Sequence, residues 1–263
     1  ADGVGPASSA ATTYRRTKAD EEDGRPCYRA LDGSLCWSVT QIIGKAADPE
    51  PLILWAHGMG SRRVSLRAAR EPARLGTDVH AGVRAMVEGR VRPPMPDDID
   101  EDGQLQVTNA LEAFERWLPH CGYRFVATEV QLIHDGLRLG GSVDVLAVRE
   151  VAGRIQVASV VGDWKTSRHV YAEAVAQVAA YGLMLKEGRP NNPRQEVPFL
   201  GQEVDEGLIV RLPKKGPPVA EVHVLDRQLM ALGLRQFMGA YEVTMARLQL
   251  TAALSPPKAR RGS

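Results

Sequence analysis

The segment Leu139-Gly140-Gly141-Ser142-Val143-Asp144-Val145-Leu146-Ala147-Val148-Arg149 and its successor, Ile155-Gln156-Val157-Ala158-Ser159-Val160-Val161-Gly162-Asp163-Trp164-Lys165, decide the reading of this chain. Both are rich in Val and alternate along their length, which predicts two strands. Val151-Ala152-Gly153-Arg154 between them predicts a turn, so the strands pair as a hairpin. Asp144 falls inside the first strand, where an unpaired carboxylate is costly to bury. Period-2 alternation in the second puts Asp163 and Lys165 on one face and Trp164 on the other. An Ala-rich helix follows, on which Gln177 and Tyr181, four residues apart, share a face.

Two acids and a lysine on adjacent strands suit one kind of chemistry. Hard cations such as Mg²⁺ take oxygen ligands and keep several waters, so the two carboxylates and a substrate phosphate make a plausible shell. Such an ion lowers the pKa of water and offsets charge on a leaving oxygen. Lys165 beside it would orient or deprotonate the water, or stabilise developing negative charge.

Asp144 followed, about one strand later, by Asp163-x-Lys165 resembles the PD-(D/E)XK nuclease superfamily. Gln177-Val178-Ala179-Ala180-Tyr181 is similar to the helix motif of its RecB-type and phage-exonuclease branch. Gly76-Thr77-Asp78-Val79-His80 with Glu88-Gly89 resembles that branch's helix whose histidine reaches the metal, and Glu129 falls where many members place a further acid. Ser38 to Ile43 with Leu54-Trp55-Ala56 looks like the leader of phage-encoded members, so the likeness spans about residues 37–185. The resemblance implies a divalent-metal-dependent DNA nuclease, an exonuclease of recombination, repair or phage replication. Asp144, Asp163, His80 and Glu129 would hold Mg²⁺ or Mn²⁺. Lys165 would handle water, and Gln177 and Tyr181 would position substrate. A catalytically weak DNA-binding or recombination-partner module on the same fold is the alternative, and a small-molecule phosphohydrolase is a more distant one. The resemblance also admits a recombination or annealing partner protein and a homo-oligomer.

Taken singly, each piece has an ordinary reading. Asp163-x-Lys165 alone reads as a strand end with a surface ion pair of little worth, and Asp144 alone as a turn cap or an arginine's partner. His80 alone is a packed or solvated helix residue, and Glu129 a solvent-facing strand acid. Gln177 and Tyr181 alone are helix surface. The shared order and spacing favour the site. Gly162 with Lys165-Thr166 lacks the P-loop spacing.

Arg63, Arg67, Arg70 and Arg74 recur at helical spacing and would make a basic stripe for phosphates, unless Pro72 splits it. Lys214-Lys215 and Lys258-Ala259-Arg260-Arg261 are weaker contacts of the same kind. The 33 basic residues against 32 acids give a net charge of +1, so a DNA binder must segregate its charge. Asp97-Asp98-Ile99-Asp100-Glu101-Asp102 reads as an acidic loop kept off the DNA path. Cys27, Cys36 and Cys121 do not form a disulfide framework, and a cytoplasmic location fits. With no cysteine beyond Cys121, the iron–sulfur cluster of some superfamily members is not expected. No run has the length of a membrane span, and no signal peptide opens the chain.

At 263 residues and 44% hydrophobic, the chain supports one α/β domain at about 26–255, a central mixed β-sheet flanked by helices. A mobile segment 1–25 precedes it and a basic tail 256–263 follows. Within the domain, a helical leader at about 38–120 precedes a core at about 124–250. Helices are expected at 38–56, at 77–89 with Thr77 as N-cap, at 105–118, at 170–186, and from Asp226 to about 250. Strands are expected at 124–134, 138–149, 154–165, 207–212 and 219–225, with a loop at 188–201.

Overall fold

A computed structural model describes residues 27–46 and 62–254, with side chains from residue 73 onward in the second stretch. The expected segment 1–25, the second half of the expected 38–56 helix with Leu54-Trp55-Ala56, and the basic tail lie outside the described residues. Helices are α1 (Val39–Ala46), α2 (Arg62–Val87), α3 (Glu101–Trp117), α4 (Ala172–Glu187) and α5 (Arg227–Leu254). Strands are β1 (Trp37–Ser38), β2 (Tyr123–His134), β3 (Leu139–Val151), β4 (Arg154–Lys165), β5 (Arg189–Pro190), β6 (Glu206–Arg211) and β7 (Glu221–Leu225).

The strands form one mixed sheet in the order β5-β2-β3-β4-β6-β7, with β1 beside β3. β2, β3 and β4 form an antiparallel meander, and α4 carries the chain over to β6, which lies parallel to β4. Helices cover both faces, giving the α/β restriction-endonuclease-like architecture. On one face α1, α4 and α5 pack Ile42, Val178, Met184 and Phe237 against Leu132 and Leu146. On the other, α2 and α3 bring Val79, Val83 and Phe114 onto Val145, Val160 and Trp164.

Two helix starts and one loop differ from the sequence reading. α2 runs through Pro72 and does not begin at Thr77. The Thr77 hydroxyl donates to the Ala73 carbonyl at 3.2 Å, the back-bond of a mid-helix threonine and not a cap. Proline costs an interior helix about 3 kcal/mol. Beyond it Leu75, Val79 and Val83 recur every fourth residue and are buried against α3, and this tertiary packing sustains the helix. α3 begins earlier than expected because the acidic run starts it. Asp100 Oδ1 accepts from Gly103 N at 2.8 Å, and Glu101 and Asp102 sit in the first turn, where the helix dipole favours acids. Within the expected 188–201 loop, Arg189 and Pro190 pair with the edge of β2.

Two glycines set how closely the Tyr181 ring of α4 and the Tyr28 ring before β1 approach β3. A Cβ on Gly141 would stand 2.5 Å from Tyr181 Cε1, and one on Gly140 would stand 2.1 Å from the Tyr28 ring. Gly141→Ala must therefore displace the Tyr181 ring. A loss of about 1–3 kcal/mol is expected from overpacking, read as a lower urea midpoint at unchanged m-value.

Candidate metal centre

Trp164 anchors the Asp163-Trp164-Lys165 segment. Its ring lies 5.4 Å from Phe114 and 5.9 Å from Phe125, both edge-on, inside the α3-side cluster. Alternation then turns Asp163 and Lys165 to the opposite face, towards α4. There Lys165 Nζ donates to Gln177 Oε1 at 2.9 Å, while Gln177 Nε2 reaches Asp163 Oδ1 at 3.0 Å and Tyr181 Oη at 3.2 Å. Lys165 Nζ also lies 2.7 Å from Asp163 Oδ2, a close ion pair without hydrogen-bond alignment.

Asp144 occupies the point where β3 and β4 part. The last paired residues on this side are Val145 and Gly162, and beyond them Asp144 Oδ2 accepts from the Trp164 backbone N–H at 2.8 Å. A side-chain acceptor thus replaces the missing ladder partner. His80, on α2, places Nδ1 3.5 Å from the same oxygen. On β2, Thr128 pairs with Val145 and Val130 with Val143, so the register sets Glu129 across from Asp144. Glu129 takes φ 50°, a left-handed conformation that costs a non-glycine residue about 1–3 kcal/mol and is typically sustained at functional sites. Its carboxylate accepts from Ser142 Oγ at 3.0 Å.

One ligand atom each from His80, Glu129 and Asp144 lies within 4.8 Å of the other two. That spread is comparable to two ligands facing each other across a small cation at about 2.1 Å each. One imidazole and two carboxylates suit a divalent cation, and the residues present fit one. Asp163 is not in this group; the structure places it with Lys165 and Gln177 instead.

The electrostatics follow from crowding acids beside two cationic groups. Burial would lower the His80 pKa, but the Asp144 carboxylate, with Asp163 further off, raises it to about 9. Burial pushes Asp144 upward, yet His80, the Trp164 N–H and Lys165 together hold it below the usual carboxylate value. Asp163 goes the other way: burial and the Asp144 charge lift it to about 6, with Lys165 opposing. Burial and Asp144 also raise Glu129. Burial would lower Lys165, but Asp163 outweighs it and the ammonium is favoured.

A cleft of about 950 Å³ opens over this cluster, and His80, Glu129, Asp144 and Lys165 line it together with Arg84 and Arg90. Pro72 does not split the arginine stripe, because α2 is continuous through it. Arg63, Arg67 and Arg70 lie on α2, but their side chains fall outside the described residues. Arg74 pairs with Asp98, and Lys215 lies 3.2 Å from Asp102. The acidic run therefore lies against two of the candidate DNA-contact cations, both of them exposed.

Sequence reasoning passed over Ser142, Tyr28 and the groups around Glu88. Ser142 was legible, being two residues from Asp144 on the same strand face. Tyr28 carries no motif. Its ring lies on Gly140, where burial and the Glu129 charge raise its hydroxyl pKa.

A family model of the PD-(D/E)XK nuclease superfamily matches residues 55–253, and this chain belongs to that superfamily. Membership implies a nuclease that depends on divalent metal and acts on DNA. No curated protein matches the chain. No helix among the described residues is long and apolar enough to cross a membrane.

Proposed function

We propose that this protein is a Mg²⁺- or Mn²⁺-dependent DNA exonuclease of the RecB-type and phage-exonuclease branch, serving recombination, repair or phage replication. One observation carries the site assignment: ligand atoms of His80, Glu129 and Asp144 converge within 4.8 Å in the lining of a cleft that Lys165 shares. In this reading His80, Glu129 and Asp144 hold the ion. When bound, the ion activates water and offsets charge on the scissile phosphate.

The remaining roles belong to the chain itself. Lys165, paired with Asp163, keeps its ammonium proton, so it orients water and stabilises negative charge at phosphorus in preference to acting as a base. Asp163 is the counter-charge that fixes the lysine. Gln177 spans both, accepting from Lys165 and donating to Asp163, so the three move as one unit. Tyr181 closes the set from one helical turn further along α4.

The test is digestion of linear DNA with and without Mg²⁺ or Mn²⁺, beside the same molecule closed into a covalent circle. Expected are stepwise shortening of the linear form, no cutting of the circle, and complete loss of activity with EDTA. Cutting of the closed circle would remove the exonuclease assignment, and cleavage that persists in EDTA would remove the metal site.

A further inference from the structure

Glu88 sits beside this cleft and gathers three donors. Arg84 Nε donates to its Oε1 at 3.0 Å, Arg90 Nη2 pairs with Oε2, and the Thr128 hydroxyl of β2 donates to Oε1. Arg84 and Arg90 both line the cleft that contains the candidate metal ligands. Arg84 follows His80 by four residues on α2, so the two share a helix face one turn apart. That separation is about 6 Å along the axis, between one and two nucleotide steps of about 3.4 Å each.

One carboxylate holding two guanidiniums leaves the group with a net positive charge. Both arginines remain open to solvent, at 44% and 58% exposure. Among the described residues, no partner meets either terminal nitrogen of Arg84 or the Nη1 of Arg90. Exposed ion pairs add little to stability, so the main consequence of the arrangement is orientation. Glu88, tied to β2 through Thr128, holds two forks that line the cleft and keep N–H groups free. Arginine forks match phosphate oxygens in pairs, and less freedom is lost on binding when the fork is already held.

We propose that Arg84 and Arg90, hinged on Glu88, form a binding site for a DNA backbone phosphate neighbouring the one that is cleaved. The proposal rests on the nuclease reading of the same cleft. It adds a substrate-positioning element that neither Asp163-x-Lys165 nor the Gln177/Tyr181 pair supplies.

The experiment measures binding of a short fluorescent DNA duplex by the intact chain, with Ca²⁺ in place of Mg²⁺, across a salt series. Arg84→Ala/Arg90→Ala should weaken binding about tenfold, as expected for lost charge-assisted hydrogen bonds. The slope of log K against log salt should also fall by about 0.7–0.9 per phosphate contact removed. Arg116→Ala is the control, since Arg116 pairs with Glu112 on α3 and is absent from the cleft lining; it should change neither quantity. Duplexes carrying one uncharged methylphosphonate at successive positions near the cleaved end locate the contact. At one position the wild type should lose about as much affinity as the double variant does, and the double variant should lose nothing more there. Unchanged affinity and slope in the double variant, with DNA binding and cleavage intact in the wild type, would overturn the phosphate site alone. Losses that add at every methylphosphonate position would overturn it equally. Failure of the wild type to bind or cut DNA would remove the nuclease reading and this site with it.

Discussion

Asp144→Asn should reduce metal-dependent DNA cleavage by about a thousandfold while leaving the fold in place. The amide keeps an oxygen where Asp144 Oδ2 accepts the Trp164 N–H, so the junction of β3 and β4 stays satisfied. What disappears is the negative charge, one of two carboxylates in the three-residue ligand group. Mn²⁺ titrated calorimetrically should bind far more weakly, and the melting temperature should fall only by what the His80–Asp144 pair contributes. Asp144→Ala should behave differently, since it strands that backbone N–H and adds an instability of about 1–3 kcal/mol. The pair thus separates loss of charge from loss of structure. His80 reports the same event. Asp144 is the group that raises its pKa to about 9, so in Asp144→Asn the opposing effect of burial prevails and the value falls. In the metal-free protein the stabilisation from this pair is full below the ordinary histidine value of 6.5 and is lost as pH rises through about 9. Near-wild-type cleavage by Asp144→Asn would remove Asp144 from the centre.

How far the sequence carried the fold depended on whether local pattern and tertiary packing agreed. β3 and β4 were legible because Val-rich alternation and a glycine turn point the same way. The class of fold followed from the order of elements. The start of α2 was not legible because its local signals contradict its packing: Pro72 announces a break and Thr77 a helix start, yet Leu75, Val79 and Val83 continue one face onto α3. The acidic run was misread for a related reason. Its partners Arg74 and Lys215 are remote in sequence from Asp98 and Asp102, and nothing local indicates that it begins a helix and lies against two cations. At the site, alternation placed Asp163 and Lys165 on one face correctly but said nothing about which acids would share a ligand group. That depended on the register of three strands, on the left-handed backbone at Glu129, and on the approach of α2. Only His80 within a recognisable segment hinted at the last of these.

Lys165→Met and Asp163→Asn should each lower cleavage by about a thousandfold, but their stabilities should differ and should not add. Asp163 is 1% exposed and its Oδ2 faces the lysine, so Lys165→Met leaves a buried carboxylate with Gln177 as its donor. Breaking a buried pair from one side costs about 3–5 kcal/mol. Burial and Asp144 lift the acid to about 6 even with the lysine opposing, and without the lysine they push it higher still. Asp163→Asn is the milder loss, because the Lys165 side chain is 24% exposed and can turn its ammonium towards water in the cleft. The double substitution Asp163→Asn/Lys165→Met removes both charges together and should recover most of the stability lost in Lys165→Met, with no recovery of cleavage. Urea unfolding of the four proteins completes the cycle. Mn²⁺ binding distinguishes chemistry from scaffolding: His80, Glu129 and Asp144 are untouched in Lys165→Met, so the ion should still bind while turnover is lost. Near-wild-type turnover in Lys165→Met would remove the lysine from the reaction. A double variant as unstable as the sum of its parents would show that the two residues do not form the coupled pair on which this assignment of roles depends.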